Sequence, residues 1–262
     1  MKKNILIGGE AGQGLQTIAS ILGKTLFREG YEVFTTKDYM SRVRGGHNFI
    51  KIRFGDEKIT SSTNKLDLIV ALNQESIDKH KENLKKDGII LSEEETKKNE
   101  NIKIDAKARA ADINPKGKNT VFIGAILKLF GLELDKCKNV ITENFSKKKE
   151  VIEDNHKLLK AGYESVEMKE EAIKVEQNEE RIYIDGNTAV GYGAVSAGIK
   201  YYSAYPMSPS TGIMNYIAGK QKELGLVVEQ AEDEIAAINM ALGASYGGIR
   251  AMTGTSGGGF AL

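Results

Sequence analysis

The sequence predicts an α/β fold, in which an N-terminal α/β domain with a mainly parallel sheet is followed by the first part of a second α/β domain. Three observations predict it. Short apolar runs alternate with amphipathic segments over the first two thirds of the chain, as strands and helices do in parallel α/β domains. Leu66–Leu72 is a near-continuous apolar run, typical of a strand buried on both faces. The composition changes after residue 180, and seven of the last twenty residues are glycine.

The first domain is predicted to span residues 1–168, and its elements follow from the spacing of apolar residues. The predicted strands are Asn4–Ile7, Tyr31–Phe34, Phe49–Phe54, Leu66–Leu72 and Gly88–Leu91, and the predicted helices are Leu15–Glu29, Glu75–Lys85, Thr120–Phe130 and Lys147–Ala161. Gly30 is expected to end the first helix, and the polar stretch Glu93–Glu100 predicts a loop.

A charged segment at residues 169–180 is predicted to be a linker, and residues 181–262 form the second, partial domain. Its predicted strands are Arg181–Ile184, Ser203–Tyr205 and the apolar run that ends at Val227–Val228; its predicted helices are Thr188–Ala197, Gly212–Lys222 and an Ala-rich helix after Glu234. Ser210 or Thr211 is expected to cap the helix at Gly212–Lys222. Another helix should begin near Gly257, where the sequence stops, so we expect the second domain to be incomplete and to depend on further sequence or on a partner.

Charge and cysteine content limit the possible functions. Thirty-seven basic and 36 acidic side chains give a formal net charge of +1, so there is no electrostatic case for nucleic acid as a partner. The single cysteine, Cys137, excludes an internal disulfide and cannot alone hold an iron–sulfur cluster or a structural zinc. No run approaches the roughly 20 apolar residues of a membrane helix. We therefore expect a soluble cytoplasmic protein whose redox centres, if any, lie on other chains.

A glycine loop lies between the first predicted strand and helix. Gly8-Gly9-Glu10-Ala11-Gly12-Gln13-Gly14 stands where backbone N–H groups and the helix dipole favour an anion such as phosphate. The glycine spacing differs from the dinucleotide fingerprint, so a tight strand-to-helix turn without a ligand is an equal alternative. A second cluster, residues 39–48, holds two arginines, two glycines and His47; arginine suits phosphate or carboxylate, although a solvated basic turn would have the same composition.

Together these clusters, the run from Gly8 to Thr17 and then Arg-Gly-Gly at Arg44–Gly46, resemble the gamma domain of the 2-oxoacid:ferredoxin oxidoreductases over roughly residues 1–165. The resemblance implies that the domain binds coenzyme A or shapes its access to the active site. It implies Gly12, Gln13, Gly14 and Arg44 as the cofactor-binding residues. Ala11 stands where the family commonly has a second glycine.

A second candidate site combines a proline turn with an acidic helix start. Tyr205–Thr211 contains two of the chain's three prolines, which fix the backbone around Ser208. Glu229–Glu234 holds four carboxylates in six residues at the start of a helix rich in alanine and glycine. A stiffened turn and a helix start that complements the macrodipole are the alternatives without a ligand.

Three motifs in residues 181–262, Tyr-Pro-Met-Ser-Pro-Ser-Thr, Glu-Gln-Ala-Glu-Asp-Glu-Ile-Ala-Ala and Ala-Met-Thr-Gly-Thr-Ser-Gly-Gly-Gly-Phe, look like successive motifs of the alpha subunit of the same family. The resemblance implies a domain that faces the aminopyrimidine ring of thiamine diphosphate, with the diphosphate and magnesium on a separate beta subunit. It implies that Glu232 bonds ring nitrogen N1′ and is catalytic, and that Tyr205 and Ser208 bind substrate. Ser208 and Met207 replace the family's usual threonine and isoleucine, which puts the choice of substrate in doubt.

The function implied is oxidative decarboxylation of a 2-oxoacid, such as 2-oxoglutarate or pyruvate, to an acyl-coenzyme A with electrons passed to ferredoxin. It requires a beta subunit, and the iron–sulfur clusters must lie on partner chains. Three alternatives stay open at this point: an indolepyruvate-type relative, a nucleotide-binding oxidoreductase whose glycine loop holds NAD, and an inactive or regulatory fragment that binds coenzyme A or a beta subunit.

Overall fold

The computed structural model describes residues 2–38, 46–94, 101–173, 175 and 180–262. The chain divides into two compact units, Met1–Glu180 and Arg181–Leu262. Part of the segment predicted to be a linker lies against the first unit: the backbone N–H groups of Lys169 and Glu170 donate to the carbonyl of Leu129, and the Tyr31 hydroxyl donates to the carbonyl of Ile173 at 2.8 Å.

The first unit is built on a six-stranded sheet in the order β2-β3-β1-β4-β5-β6. The strands are β1 (Lys2–Glu10), β2 (Glu32–Asp38), β3 (His47–Gly55), β4 (Leu66–Ala71), β5 (Leu84–Ser92) and β6 (Asn101–Lys103). β1, β4, β5 and β6 are parallel neighbours, while β3 runs antiparallel to both β1 and β2. The predicted mainly parallel sheet is therefore confirmed, with an antiparallel pairing at one side.

Six helices of the first unit cover this sheet unequally. They are α1 (Leu15–Arg28), α2 (Gln74–His80), α3 (Ala106–Ala111), α4 (Lys118–Leu129), α5 (Leu134–Asn144) and α6 (Ile152–Tyr163). The face that carries Ile5 and Ile7 packs in one large core with α1, α4, α5 and α6. The opposite face, which carries Leu6 and Ile69, packs with Ile77 of α2 in a smaller core.

Three elements of the first unit were not predicted, namely β6, α3 and α5, and one prediction was too long. The predicted helix Glu75–Lys85 ends at His80, residues 81–83 form a 3-10 turn, and Leu84 already begins β5. Leu84 pairs with Leu66 of β4, so strand pairing overrides the helical spacing of the apolar residues. Gly30 ends α1 as expected, with φ of 100°, and the N–H of Tyr31 donates to the carbonyl of Leu26.

The second unit has a parallel three-stranded sheet in the order β8-β7-β9. Its elements are α7 (Gly186–Ser196), β7 (Tyr201–Ala204), α8 (Thr211–Leu224), β8 (Val227–Gln230), α9 (Glu234–Tyr246), β9 (Ala251–Thr253) and α10 (Gly257–Ala261). α10 begins where the sequence analysis expected a helix.

Two predictions for the second unit are wrong. Arg181–Ile184 is not a strand, and Ile182 is 77% exposed. The alternation of apolar residues at 181–184 predicts a strand, but this segment pairs with no other strand, because the sheet of this unit consists of β8, β7 and β9. Ser210 stands at the N-cap of α8 but does not cap it, since its hydroxyl donates to the carbonyl of Met207 at 2.7 Å. Across both units, no helix in the described part of the chain is long and apolar enough to cross a membrane.

Candidate functional sites

The glycine loop of the first unit is a tight turn between β1 and α1. Gly12 and Gly14 have φ of 91° and 82°, in the left-handed region that favours glycine. The Gln13 N–H donates to the Glu10 carbonyl at 3.2 Å, and Gln13 Oε1 accepts from the Glu10 N–H at 2.7 Å. The Gln13 side chain therefore already has a structural role inside the loop, and Gly12 is its most exposed glycine.

Asn119, at the start of α4, was missed by sequence reasoning. Its Nδ2 donates to the Gln13 carbonyl at 2.7 Å, and a side chain at position 14 would collide with it. Its Oδ1 is buried without a hydrogen-bond partner. An asparagine beside a predicted helix start was the one signal in the sequence, and nothing there linked it to a loop more than 100 residues away.

Of the arginine-containing cluster at residues 39–48, the structure describes His47 but not Arg44. His47 begins β3, is 6% exposed, and places its Nε2 2.7 Å from Nε2 of His80. Burial, His47, Lys51 and Lys79 lower the pKa of His80 to about 4, and burial and Lys79 also lower the pKa of His47. The pair is therefore uncharged near neutral pH.

In the second unit, the segments of interest all follow the carboxyl ends of parallel strands, the edge of an α/β sheet where ligands bind. The proline turn follows β7, the acidic segment follows β8, and residues 254–256 follow β9. Tyr205 is 39% exposed, and Ser208 is exposed on the turn. The Asn187 side chain donates to the carbonyl of Pro209 at 2.8 Å, which ties the turn to the start of α7.

The acidic segment separates into three roles. Asp233 caps α9, because its Oδ1 accepts from the Ala236 N–H at 2.7 Å. Glu232, the residue singled out in the sequence, is exposed. Glu234, the first residue of α9, has a buried Oε1 with no hydrogen-bond partner. The cap fixes the helix start and so directs Glu234, not Glu232, into the protein.

Glu234 is enclosed by the segment that follows β9. A Cβ added at Gly259 would collide with both Glu234 Oε1 and Thr255 Oγ1. Thr255 Oγ1 and the hydroxyl of Tyr202 are also buried without partners, and the Tyr202 hydroxyl lies 2.5 Å from where a Cβ of residue 254 would be. These three are all the buried, unpartnered side-chain atoms of residues 181–262, and they adjoin one short stretch, Gly254–Gly259.

Buried polar atoms without partners are rare in folded proteins, and each one calls for an explanation. Burial raises the pKa of Tyr202, so its hydroxyl keeps its proton. The cluster thus offers one carboxylate and two hydroxyls to a ligand that can form hydrogen bonds.

A profile of the pyruvate ferredoxin/flavodoxin oxidoreductase family matches residues 4–165, more than half of the chain. The chain belongs to this family. A second profile, for the thiamine diphosphate-binding domain of pyruvate flavodoxin/ferredoxin oxidoreductases, matches residues 192–262, which include the proline turn and the cluster around Glu234.

Relatives of the oxidoreductase family match the chain, some from end to end and some over part of it. The 2-oxoacid:ferredoxin oxidoreductase subunit alpha of a Sulfolobus species is 29% identical over all of this chain and 51% of its own length. The 2-oxoglutarate synthase subunit KorA of Methanothermobacter marburgensis is 45% identical over 32% of this chain and 22% of its own. The 2-oxoglutarate:ferredoxin oxidoreductase of Magnetococcus marinus, solved with 2-oxoglutarate, coenzyme A and succinyl-CoA bound, superposes with a TM-score of 0.89 and 29% identity, covering 100% of this chain and 48% of that one.

The chain spans about half the length of the relatives that match all of it. The family resemblance carried by the sequence motifs is confirmed, and so is the predicted fold class. The roles of individual residues in the oxidoreductase stay predictions.

Proposed function

We propose that this chain supplies the gamma domain and the first part of the alpha domain of a 2-oxoacid:ferredoxin oxidoreductase. The enzyme would decarboxylate a 2-oxoacid, such as 2-oxoglutarate or pyruvate, form an acyl-coenzyme A and pass electrons to ferredoxin. The observation that carries the proposal is the buried, unpartnered carboxylate oxygen of Glu234, which lies at the carboxyl edge of a parallel sheet within the region matched by the thiamine diphosphate-binding profile.

The residues around Glu234 fit an aminopyrimidine ring. A ring nitrogen needs a fixed hydrogen-bonding partner, and Glu234 offers an oxygen that nothing in residues 181–262 bonds. Glycine at 259 leaves room for the carboxylate, because any side chain there would collide with it. Bound thiamine diphosphate would supply the electron sink that makes loss of carbon dioxide possible.

Glu234 is the better candidate for this contact than Glu232. An exposed carboxylate is held in place only weakly and is screened by water and salt, whereas a carboxylate at a capped helix start has a fixed direction. In the proposed site Glu234 holds a proton at ring nitrogen N1′, and Glu232 remains the alternative predicted from the motif.

Substrate would be held at the proline turn. The Ser208 hydroxyl is exposed there and can donate to the carboxylate or keto oxygen of a 2-oxoacid, and Tyr205 offers a partly exposed ring beside it. In the first unit, Gly12, Gln13, Gly14 and Arg44 are proposed to contact coenzyme A. Gly12 and the start of α1 can present backbone N–H groups to a phosphate. Gln13 supports the loop, because its side chain accepts a hydrogen bond from the Glu10 N–H.

Partner chains complete the proposed enzyme. Cys137 is buried and burial raises the pKa of its thiol to about 11, so it is unsuited to metal binding. We therefore place the iron–sulfur clusters, the magnesium ion and the diphosphate-binding residues on partner chains, chiefly a beta subunit, and the complex in the cytoplasm.

The test is to co-purify an alpha subunit that carries this chain together with the further alpha sequence that its relatives have, and the beta subunit encoded in the same organism. The expected complex contains thiamine diphosphate and iron, and it reduces ferredoxin only when a 2-oxoacid and coenzyme A are both present. A complex that carries nicotinamide in place of thiamine, or that binds the beta subunit and shows no 2-oxoacid-dependent reduction, would contradict the proposal.

A further inference from the structure

We propose that Thr255 is a positioning residue for Glu234, and that its hydroxyl holds the Glu234 carboxylate in the orientation that a bound pyrimidine ring requires. The inference rests on the proposed function, since it assigns a second residue to the same site. Thr255 lies in the turn between β9 and α10, 21 positions beyond Glu234 in the sequence.

The first step of the argument is proximity. Glu234 Oε1 and Thr255 Oγ1 would both collide with a Cβ at Gly259, so the two oxygens border the same small space beside the Gly259 backbone. Gly259 is buried in α10, and the Glu234 Cγ also lies 2.5 Å from its Cβ position. The carboxylate is therefore confined between α9 and α10 and has few alternative rotamers.

The second step is hydrogen-bonding capacity. An ionised carboxylate only accepts hydrogen bonds, whereas a threonine hydroxyl has one proton to donate and can also accept. Both oxygens are buried and unpartnered, and the hydroxyl is the group of this pair that can satisfy the carboxylate. A carboxylate oxygen has two lone pairs, so Glu234 Oε1 can accept from Thr255 and from a ring nitrogen at once, and the bond from Thr255 would fix the plane of the carboxyl group.

The third step is that the turn holding Thr255 is itself fixed. Glycine at 254 leaves room for the buried hydroxyl of Tyr202, which lies 2.5 Å from where a Cβ would be. Tyr202 is 1% exposed and belongs to the central strand β7, so the turn packs against a buried side chain of the sheet. A positioning residue acts only if its own support is rigid, and this one meets that condition.

The experiment uses the complex with the beta subunit and compares wild type with Thr255→Val, which keeps the shape and removes the hydroxyl, and Thr255→Ser, which keeps the hydroxyl. Thr142→Val is the matched control, because the Thr142 hydroxyl bonds only exposed groups on α5 and His156 of the first unit. Three quantities are measured: the Kd for thiamine diphosphate, kcat and KM for the 2-oxoacid, and the near-ultraviolet circular dichroism of the bound aminopyrimidine.

We expect Thr255→Val to lower kcat and weaken thiamine diphosphate binding by about tenfold each, the size of one hydrogen bond to a charged group. KM for the 2-oxoacid should stay within about twofold of wild type, the circular dichroism band should shrink, and Thr255→Ser should restore most of each loss. Gly259→Ala should also lower kcat, because its methyl group displaces the side chains of both Glu234 and Thr255.

Two results would overturn the assignment: Thr255→Val indistinguishable from wild type in affinity and circular dichroism, or Thr255→Ser as impaired as Thr255→Val, which would indicate packing by the methyl group. If Thr255→Val does not assemble, Thr255→Ala, which also removes the hydroxyl, carries the same test against Thr255→Ser. A wild-type complex that fails to bind thiamine diphosphate would count against the proposed function, so the two failures are distinguishable.

Discussion

At the scale of single residues, hydroxyl groups in similar settings differ in whether they are satisfied. The Tyr202 hydroxyl is buried and unpartnered, while the Tyr31 hydroxyl donates to the Ile173 carbonyl at 2.8 Å. An unsatisfied buried polar group costs about 1–3 kcal/mol, whereas a made hydrogen bond contributes about 1 kcal/mol net. The free-energy cost of the unsatisfied Tyr202 hydroxyl agrees with a group that forms its hydrogen bond to a bound ligand.

Tyr202→Phe should therefore raise the free energy of unfolding of the ligand-free chain by up to about 1 kcal/mol, because the ring keeps its packing and the orphaned hydroxyl is lost. Tyr31→Phe is the matched control and should lower it by about 1 kcal/mol. Urea unfolding followed by circular dichroism measures both. If Tyr202→Phe lost as much stability as Tyr31→Phe, the hydroxyl would have a partner within the protein.

The two buried histidines, His47 and His80, make the folding stability of the chain depend on pH. The folded protein lowers the pKa of His80 to about 4 through burial and the nearby His47, Lys51 and Lys79, opposed by Asp38. Burial and Lys79 lower the pKa of His47, and Glu75 raises it. Because the unfolded chain binds the proton more tightly, the stabilisation is complete above about pH 6.5 and is lost as the pH falls toward 4.

His80→Gln should flatten this decline, so that the melting temperature of the variant changes less than that of wild type between pH 7 and pH 4.5. Thermal unfolding across that range, in buffers of equal ionic strength, checks it. An unchanged slope in the variant would mean that the acid sensitivity arises from other groups.

At the scale of elements, the contact between α4 and α6 depends on two glycines. A Cβ at Gly162 would collide with the backbone carbonyl of Val121, and one at Gly124 would collide with that of Leu159. The helix backbones thus touch directly, and neither glycine can be replaced without moving a helix. Both helices contribute buried residues to the larger core.

Gly162→Ala should destabilise the first unit by roughly 1–3 kcal/mol through overpacking. Gly219→Ala is the matched control: Gly219 lies in α8 with open space around its Cβ position, so alanine should stabilise by up to about 1 kcal/mol. Urea unfolding midpoints of the two variants should move in opposite directions, and a neutral Gly162→Ala would show that the helices can separate at little cost.

Elements with a strong local signal were predictable and those fixed by tertiary contacts were not. Leu66–Leu72 gave β4 because a buried parallel strand is apolar throughout. α5 escaped because only Cys137, Val140 and Ile141 of its eleven residues are buried, among polar neighbours. The sequence predicts a site at the acidic helix start, but the proposal of Glu234 in place of Glu232 depends on Gly259 in α10, a contact that no local pattern reveals.

At the scale of the whole molecule, the two units differ in how completely they cover their apolar surface. The first has a core of more than thirty buried residues, and the second a core of six: Ile199, Tyr202, Ala204, Met214, Ile217 and Leu226. On α9 the outward residues Ile235, Ile238, Leu242 and Tyr246 are between 43% and 97% exposed. Exposed apolar stripes of this kind commonly mark surfaces that contact protein, which agrees with relatives about twice as long and with the proposed beta subunit.

The central claim is that residues 181–262 present a carboxylate from the start of α9 to thiamine diphosphate, and that this carboxylate is Glu234. The most direct test is kcat for 2-oxoacid-dependent ferredoxin reduction by the complex with the beta subunit, in wild type, Glu234→Gln and Glu232→Gln. Loss of a group that handles a proton at the cofactor should lower kcat by about 100-fold or more in Glu234→Gln. Glu232→Gln should stay within about twofold, as expected of an exposed side chain. Near-wild-type activity in Glu234→Gln together with a large loss in Glu232→Gln would contradict this account and restore the assignment suggested by the sequence motif.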